Sequence, residues 1–328
     1  MEAGKIPENV LKRAVFGRIG GSRPEVLVGA AVGEDCAALS FSADEIAVLS
    51  TDPITGTAKD IGKLAVQITA NDLASSGAEP IGILVTVLLP VGSDEAVLAG
   101  IMKDVGDSCR QTGIVVIGGH TEVTEVVARP VLSVTGVGKV KKGHLIKTSG
   151  GAPGMDLIVT KQIALEGTSM IAKERETELM EHFPAAMIDA AKDFDQLLSV
   201  VPEGRIAARF GAAAMHDVTE GGIFGALWEM AEASGVGIDA ELHAIPIRQE
   251  TVEICEFYDL NPYQLISSGS MLIAAADGVG LCRALADAGI DAAIIGRMTD
   301  GNDRVLHNGS ELRYLEPPHA DEFHRILS

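Results

Sequence analysis

The feature that most constrains this chain is a series of short apolar runs in its first half. They are EIAVLSTD from Glu45, IGILVTVLLP from Ile81, GIVVIGG from Gly113 and RPVLSVTGVGKV from Arg129, each bounded by Gly, Pro or Asp. Runs of this length with these borders predict strands. Two helical patterns fall between them. KDIGKLAVQITANDLASSG carries Ile61, Leu64, Ala65, Ile68 and Leu73 at roughly helical spacing; SDEAVLAGIMKDVGDSCRQTG offers Ser93 as an N-cap and Gly113 as a stop. Residues 8–16 predict a short helix before a Gly- and Pro-rich stretch, and the segment from Gly17 to Gly33 is expected to be mobile when no ligand is bound. The basic, Gly-rich stretch KKGHLIKTSGGAPG (141–154) predicts a domain boundary. Beyond it, DLIVTKQIAL, QLISSGSMLIAAA and AAIIGRM predict strands, while EGTSMIAKERETELM, PAAMIDAAKDFDQLL, GGIFGALWEMAEASG and VGLCRALADAG predict helices. Strands mixed with helices in both halves indicate α+β or mixed α/β domains. A length of 328 residues favours two cores, here 1–150 and 151–328.

Charge narrows the function. With 26 basic and 46 acidic residues the formal charge is −20, which repels nucleic acid and anionic membranes at long range. It does not exclude an anionic nucleotide, because carboxylates can hold divalent cations that bridge to phosphates. The cysteines Cys36, Cys109, Cys255 and Cys282 form no C-x-x-C pair and read as reduced thiols of a cytoplasmic protein. No apolar leader opens the sequence, and the most apolar run, from Ile81, is too short to span a bilayer and contains Pro90.

Four polar clusters interrupt apolar strand ends in the first half: GEDCAA (33–38), STD (50–52), AND (70–72) and GGHTE (118–122). Asp35, Asp52 and Asp72, if they converge, repel one another unless a cation lies between them. Magnesium takes hard oxygen ligands together with nucleotide phosphates. Taken singly, each Asp is more simply a cap or a turn residue. Asn71 and Asp72 are harder to dismiss, since both are poor helix formers inside a helical run. His120, beside Thr121 and Glu122, is a candidate ligand or acid–base group, although a lone His is more often structural. In the second half, MHDVTEGGIFGA sets Asp217, Thr219 and Glu220 before Gly221-Gly222 and a helix. That form offers an anion site through free N–H groups, or merely a capped helix start. EGTSMIA (166–172) has the same form and the same two readings. No P-loop, G-x-G-x-x-G, G-x-S-x-G or H-E-x-x-H motif is present.

In order and spacing these clusters resemble the PurM-like superfamily, which includes aminoimidazole ribonucleotide (AIR) synthase, thiamine-monophosphate kinase, selenophosphate synthetase and the HypE hydrogenase-maturation family. The resemblance covers nearly the whole chain. STDPITGTAKDIGKLAVQITANDLASSGAEP and ASGVGIDAELHAIPIRQETVEICEFYDLNPYQLISSGSMLIA are most similar to HypE and to AIR synthase-related proteins. The resemblance implies a two-domain PurM-like fold whose N-terminal sheet joins a second copy's in a dimeric β-barrel, followed by a C-terminal α/β domain. It implies ATP and Mg²⁺, with Asp35, Asp52 and Asp72 as metal ligands. Asp52, Asn71, Asp72, His120, Asp217, Thr219 and Glu220 then contact the nucleotide, and Asp72 and His120 take catalytic roles. It further implies activation of an acceptor oxygen, or phosphoryl transfer, by a homodimer that binds no nucleic acid and no membrane. The alternatives are a small-molecule kinase like thiamine-monophosphate kinase, or a non-catalytic nucleotide-binding maturation or scaffold protein. HypE proteins end in a cysteine that becomes a thiocyanate. This chain ends Arg325-Ile326-Leu327-Ser328, so cyanide-ligand synthesis by that route is not expected. His120 and Glu122 stand where HypE carries Asp and Lys, so one ligand or phosphate contact is expected to differ.

Overall fold

A computed structural model describes residues 4–5, 8–31, 36–55 and 60–327. The chain divides into two compact units, Met1–Leu73 with Ala78–Leu145, and Ala74–Gly77 with Ile146–Ser328. Asp35 lies outside the described residues.

The first unit is built on an open five-stranded sheet. Its elements are β1 (Gly4–Lys5), α1 (Glu8–Val10, continuing as a wider helical turn to Phe16), β2 (Val26–Val28), β3 (Ala38–Leu39), β4 (Glu45–Ile54), α2 (Ile61–Ser75), β5 (Glu79–Pro90), α3 (Glu95–Thr112), β6 (Val115–Thr124) and β7 (Val131–Lys141). The strand order is β1-β6-β5-β7-β4. Only β5 and β6 run parallel, joined by the crossover helix α3; every other neighbouring pair is antiparallel. In β5 the side chains alternate between two environments. Ile83, Val85, Val87 and Leu89 are buried, whereas Leu84, Thr86 and Leu88 are half-buried. The buried face is the one α2 covers, with Ile61, Leu64, Ala65 and Leu73 all sealed from solvent. Gly136 permits this approach: a Cβ there would overlap Thr69 Cγ2 of α2. The opposite face is covered at one end by the β2–β3 hairpin, whose Val26 and Leu39, with Phe41, pack on Val115, Ile117 and Val137. The rest of that face is open, with Leu49 two-thirds exposed.

The second unit carries β8 (Asp156–Thr160), α4 (Leu165–Glu174), α5 (Glu176–Met180), α6 (Ala185–Lys192), α7 (Val201–Phe210), β9 (Ala214–Val218), α8 (Gly222–Ser234), β10 (Gly237–Glu241), α9 (Gln249–Phe257), β11 (Ser270–Ala275), α10 (Gly278–Ala286), β12 (Ala292–Thr299), β13 (Arg304–Asn308), β14 (Glu311–Tyr314) and α11 (His324–Leu327). Its sheet has the order β14-β13-β10-β12-β8-β11-β9 and is antiparallel except at β10–β13. β8 and β11 are interior strands, fully apolar in their middles, as strands covered on both faces must be. No helix among the described residues is long and apolar enough to cross a membrane.

Two local expectations change. The N-cap of α3 is Asp94, not Ser93; the Ser93 hydroxyl donates instead to the Pro90 carbonyl at 2.7 Å and closes the turn after β5. The segment QLISSG is a loop, and β11 starts only at Ser270, because Gly269 takes a left-handed φ of +107°. The stretch from Gly17 is described as far as Ala31; Gly17, Arg18, Gly20, Gly21, Ser22 and Pro24 are exposed, and Glu25 is buried. Arg23 reaches Glu79 at 2.6 Å and Glu25 at 3.1 Å, and Lys139 reaches Glu25 at 2.9 Å and Glu45 at 3.1 Å.

Candidate functional site

In the first unit the site begins with register. Ser50 lies opposite Gly136 and Asp52 opposite Val134, so both side chains project from β4 on the face that α2 covers. Gly136 lets α2 come close at this level, and that brings Asp72 over the strand. The Ser50 hydroxyl then lies between two carboxylates, in short contact with Asp72 Oδ2 and 3.4 Å from Asp52 Oδ2. A hydroxyl has one proton, so it donates to the nearer carboxylate, Asp72, and only orients the other. Asp52 and Asp72 are half-buried, while their neighbour Asn71 is only 1% exposed. Two acids sharing one hydroxyl form a hard, all-oxygen donor set. The sequence flags both acids but not Ser50, whose role depends on strand register.

His120 is placed elsewhere. It pairs in register with Thr86, which pairs with Ser133, and Thr86 alternates with Val85 and Val87. His120 therefore projects from the opposite face to Asp52, three strands away across the sheet, roughly 14 Å at ordinary strand spacing. There it is exposed and lies 3.3 Å from Glu122. The structure thus brings Asp52 and Asp72 together and leaves His120 apart. Among the described residues no group of three or more His, Cys, Asp or Glu side chains is arranged to hold a metal.

In the second unit, Asp217 is buried near the end of β9, opposite Met271 of β11, while Thr219 is half-buried and Glu220 exposed. Gly221 (φ +79°) and Gly222 (φ +60°) turn the chain into α8, and a Cβ on Gly222 would come within 2.5 Å of the Tyr263 carbonyl. The N–H groups expected to be free for an anion are largely taken by the protein. Gly221 N–H donates to Asp321 Oδ2 at 2.8 Å, Gly222 N–H to Thr219 O at 3.1 Å and Phe224 N–H to Tyr263 O at 3.1 Å. Asp321, a residue the sequence did not mark, fills the place an anion would take. At the start of α4 the hydroxyls likewise point inward: Thr168 Oγ1 bonds Thr251 Oγ1 at 2.9 Å, and Ser169 Oγ donates to Lys192 O at 2.8 Å.

Two family models match the chain: AIR synthase related protein, N-terminal domain, over residues 33–140, and AIR synthase related protein, C-terminal domain, over residues 152–308. The chain belongs to the AIR synthase related family. Among curated relatives, the carbamoyl dehydratase HypE of Rhodobacter capsulatus is 31% identical over 83% of this chain and 78% of its own length. The carbamoyl dehydratase HypE of Cupriavidus necator is 30% identical over 77% and 72%. Among solved structures, Escherichia coli HypE, a hydrogenase maturation protein, superposes with a TM-score of 0.81 at 22% identity, covering 98% of this chain and 100% of the other. A HypE solved in complex with ATP gives 0.81 at 19% identity, covering 96% and 95%. The thiamine-monophosphate kinase of Stenotrophomonas maltophilia gives 0.75 at 22%, covering 94% and 98%. These likenesses establish the two-domain mixed α/β fold of the family.

Proposed function

We propose that this chain is a Mg²⁺-dependent, ATP-using enzyme of the HypE-like branch, working as a homodimer to activate an acceptor oxygen or to transfer a phosphoryl group from ATP. The observation that carries the reading is the Ser50-bridged pair of Asp52 and Asp72. Side chains from a strand and a helix far apart in sequence supply only oxygen donors there, and that chemistry fits a hard divalent cation. Asp35, by its position in the motif order, is the proposed third ligand. A bound Mg²⁺ would neutralise phosphate charge at this place. The protein's own part is to orient: Ser50 sets the rotamers of both acids, and the packing of α2 on Gly136 sets their separation. Such transfer rests on positioning and charge rather than on covalent catalysis. We assign Asn71, Asp217, Thr219, Glu220 and His120 to nucleotide or acceptor contacts, with His120 acting from the open sheet face. That open face, with Leu49 exposed, supports pairing with a second copy. HypE solved with ATP supports the choice of nucleotide.

Calorimetry of ATP binding with and without Mg²⁺ tests the reading. Heat that requires Mg²⁺ and is lost in Asp72→Asn supports it; absence of binding by the wild type ends it. A second reading, a kinase for a small heterocyclic acceptor, is favoured by the thiamine-monophosphate kinase superposition. ADP release coupled to a panel of phosphorylated and heterocyclic alcohols separates the two. Binding without turnover on any acceptor points to a nucleotide-binding scaffold instead.

A further inference from the structure

Glu166 stands in the first turn of α4 and is 2% exposed. Glu166 Oε2 and Ser268 Oγ are both sealed from solvent without a well-aligned hydrogen bond, while Ser268 still reaches the carboxyl through its hydroxyl and its backbone N–H. An ionised carboxylate left in that state is costly, whereas a neutral carboxyl costs far less and carries a proton it can donate. The charges that face it are also acidic: Asp321 from the segment before α11 and Glu220 from the turn before α8. Among the charges around α4, its own Lys173 pairs with Asp195, and Lys192 at the end of α6 pairs with Glu176 and Asp189; on α9, which carries Glu250, Glu253 and Glu256, Gln249 bonds Glu253.

Three segments meet around this side chain. Ala164, in a left-handed conformation (φ +59°), gives its N–H to Ser267 Oγ at 2.6 Å. Gly167 N–H donates to Ile266 O at 3.0 Å, so the loop before β11 is fastened to the start of α4 on both sides of Glu166. Ser267 N–H in turn donates to Thr219 O at 3.3 Å, and Gly221 N–H is held by Asp321. The turn carrying Thr219 and Glu220 therefore hangs on the same loop that faces Glu166.

We propose that Glu166 is a positioning residue for the Thr219–Gly222 turn. Its neutral carboxyl lets the Ser267–Gly269 loop close on α4, and its charged form repels Glu220 and Asp321 and loosens the turn. Burial pushes this carboxyl up to about 7; Ser268 pulls it down, and Asp321 and Glu220 add to the rise. The switch therefore falls where small pH changes alter its charge. The functional consequence rests on the ATP reading above, since the turn is proposed there as a nucleotide contact; the structural consequence does not.

The test is amide hydrogen exchange on the full chain, expressed as protection factors for Gly221, Gly222 and Ser267 between about pH 6 and pH 8.5, alongside Mg²⁺-ATP titrations over the same range. Wild-type protection is expected to fall about fivefold or more, with a midpoint near 7, and nucleotide affinity to fall with it. Glu166→Gln, neutral at every pH, is expected to hold the low-pH protection throughout. Ser268→Ala, which removes the hydroxyl that favours the charged form, is expected to move the midpoint upward, and it provides the check if Glu166→Gln does not fold. A flat wild-type profile, or the same midpoint in Glu166→Gln, overturns the proposal. Loss of protection on this schedule without ATP binding at any pH would discard the nucleotide reading and keep Glu166.

Discussion

Asp52→Asn separates a metal-binding pair from a structural one, because the two roles change stability in opposite directions. The carboxylate oxygens of Asp52 and Asp72 lie on either side of one hydroxyl, the farther contact being 3.4 Å. Their separation is therefore about 6 Å at most. Two unit charges at that distance, both half exposed, repel by about 1 kcal/mol at a dielectric constant near that of water. Replacing Asp52 with Asn removes this repulsion, keeps the shape and leaves the Ser50 proton on Asp72. The apo protein is expected to gain about 1 kcal/mol, or about 2 °C in Tm for a chain of this size. The same change removes one charged oxygen from a cation, worth about 1.5–3 kcal/mol for a charge-assisted contact. Mg²⁺-ATP affinity is then expected to fall tenfold to a hundredfold. Differential scanning fluorimetry without ligand and calorimetry with Mg²⁺-ATP give the two numbers on one preparation. A fall in Tm together with unchanged affinity would refute the reasoning, because it would make Asp52 a fold-stabilising acid with no cation to hold.

Further expectations come from other residues. Glu25→Gln tests the charges that fasten β2: burial alone would raise this carboxyl, but hydrogen bonds from Arg23 and Lys139 outweigh it and hold it down at about 2. Because the folded value is the lower one, Glu25 contributes stability above the ordinary carboxylate range and loses it as pH falls from about 4.5 to about 2. Denaturant midpoints should therefore show Glu25→Gln about 1–2 kcal/mol weaker at pH 7 and level with wild type below about pH 2. Lys161→Met breaks the buried pair of Lys161 Nζ and Glu203 Oε1, 2.5 Å apart, and strands a carboxylate that is 1% exposed. A loss of about 3–5 kcal/mol is expected in chemical unfolding, and a second change, Glu203→Leu, should restore much of it. His120→Ala should leave Mg²⁺ affinity measured without nucleotide unchanged while altering nucleotide or acceptor kinetics; a loss of Mg²⁺ affinity would place it with Asp52 after all.

Some of this was readable from residue order alone. The strand runs at Glu45, Ile81 and Arg129 and the two long helices came from apolar periodicity, since one face of each is pressed into a core. Asp52 stood out at the end of an apolar run, and Asp72 as a poor helix former inside a helical one. The contribution of Ser50 was hidden, because it depends on which residue of β7 lies opposite, and register is a property of the paired sheet. The same holds for His120. Its neighbours in sequence suggested a shared site, but the alternation of β6 against β5 turns it to the other face. Glu166 and Asp321 were hidden for a different reason. Their roles come from segments about 50 to 150 residues distant that converge on the start of α8 and α4, and nothing local in EGTSMIA or in the segment around Asp321 signals that meeting. The helix N-terminus before Phe224 misled in the opposite direction: its sequence resembles an open anion site, but tertiary folding hands its N–H groups to a carboxylate and two carbonyls.

The division of the first sheet into two faces limits what any mechanism can ask of these residues. A cation held by Asp52 and Asp72 would lie against α2, on the face where Val85, Val87 and Leu132 are buried. His120 lies on the far side of the same sheet, exposed and beside Glu122. No single small ligand atom touches both through a sheet of packed side chains. A chain of phosphates, or two parts of a nucleotide and its acceptor, can do so only by passing around the strand ends. If both sets serve one reaction, they serve different atoms of it. Kinetics should then separate them: substitutions at Asp52 or Asp72 should change the metal dependence of every step, and substitutions at His120 should change the pH dependence or the acceptor dependence alone.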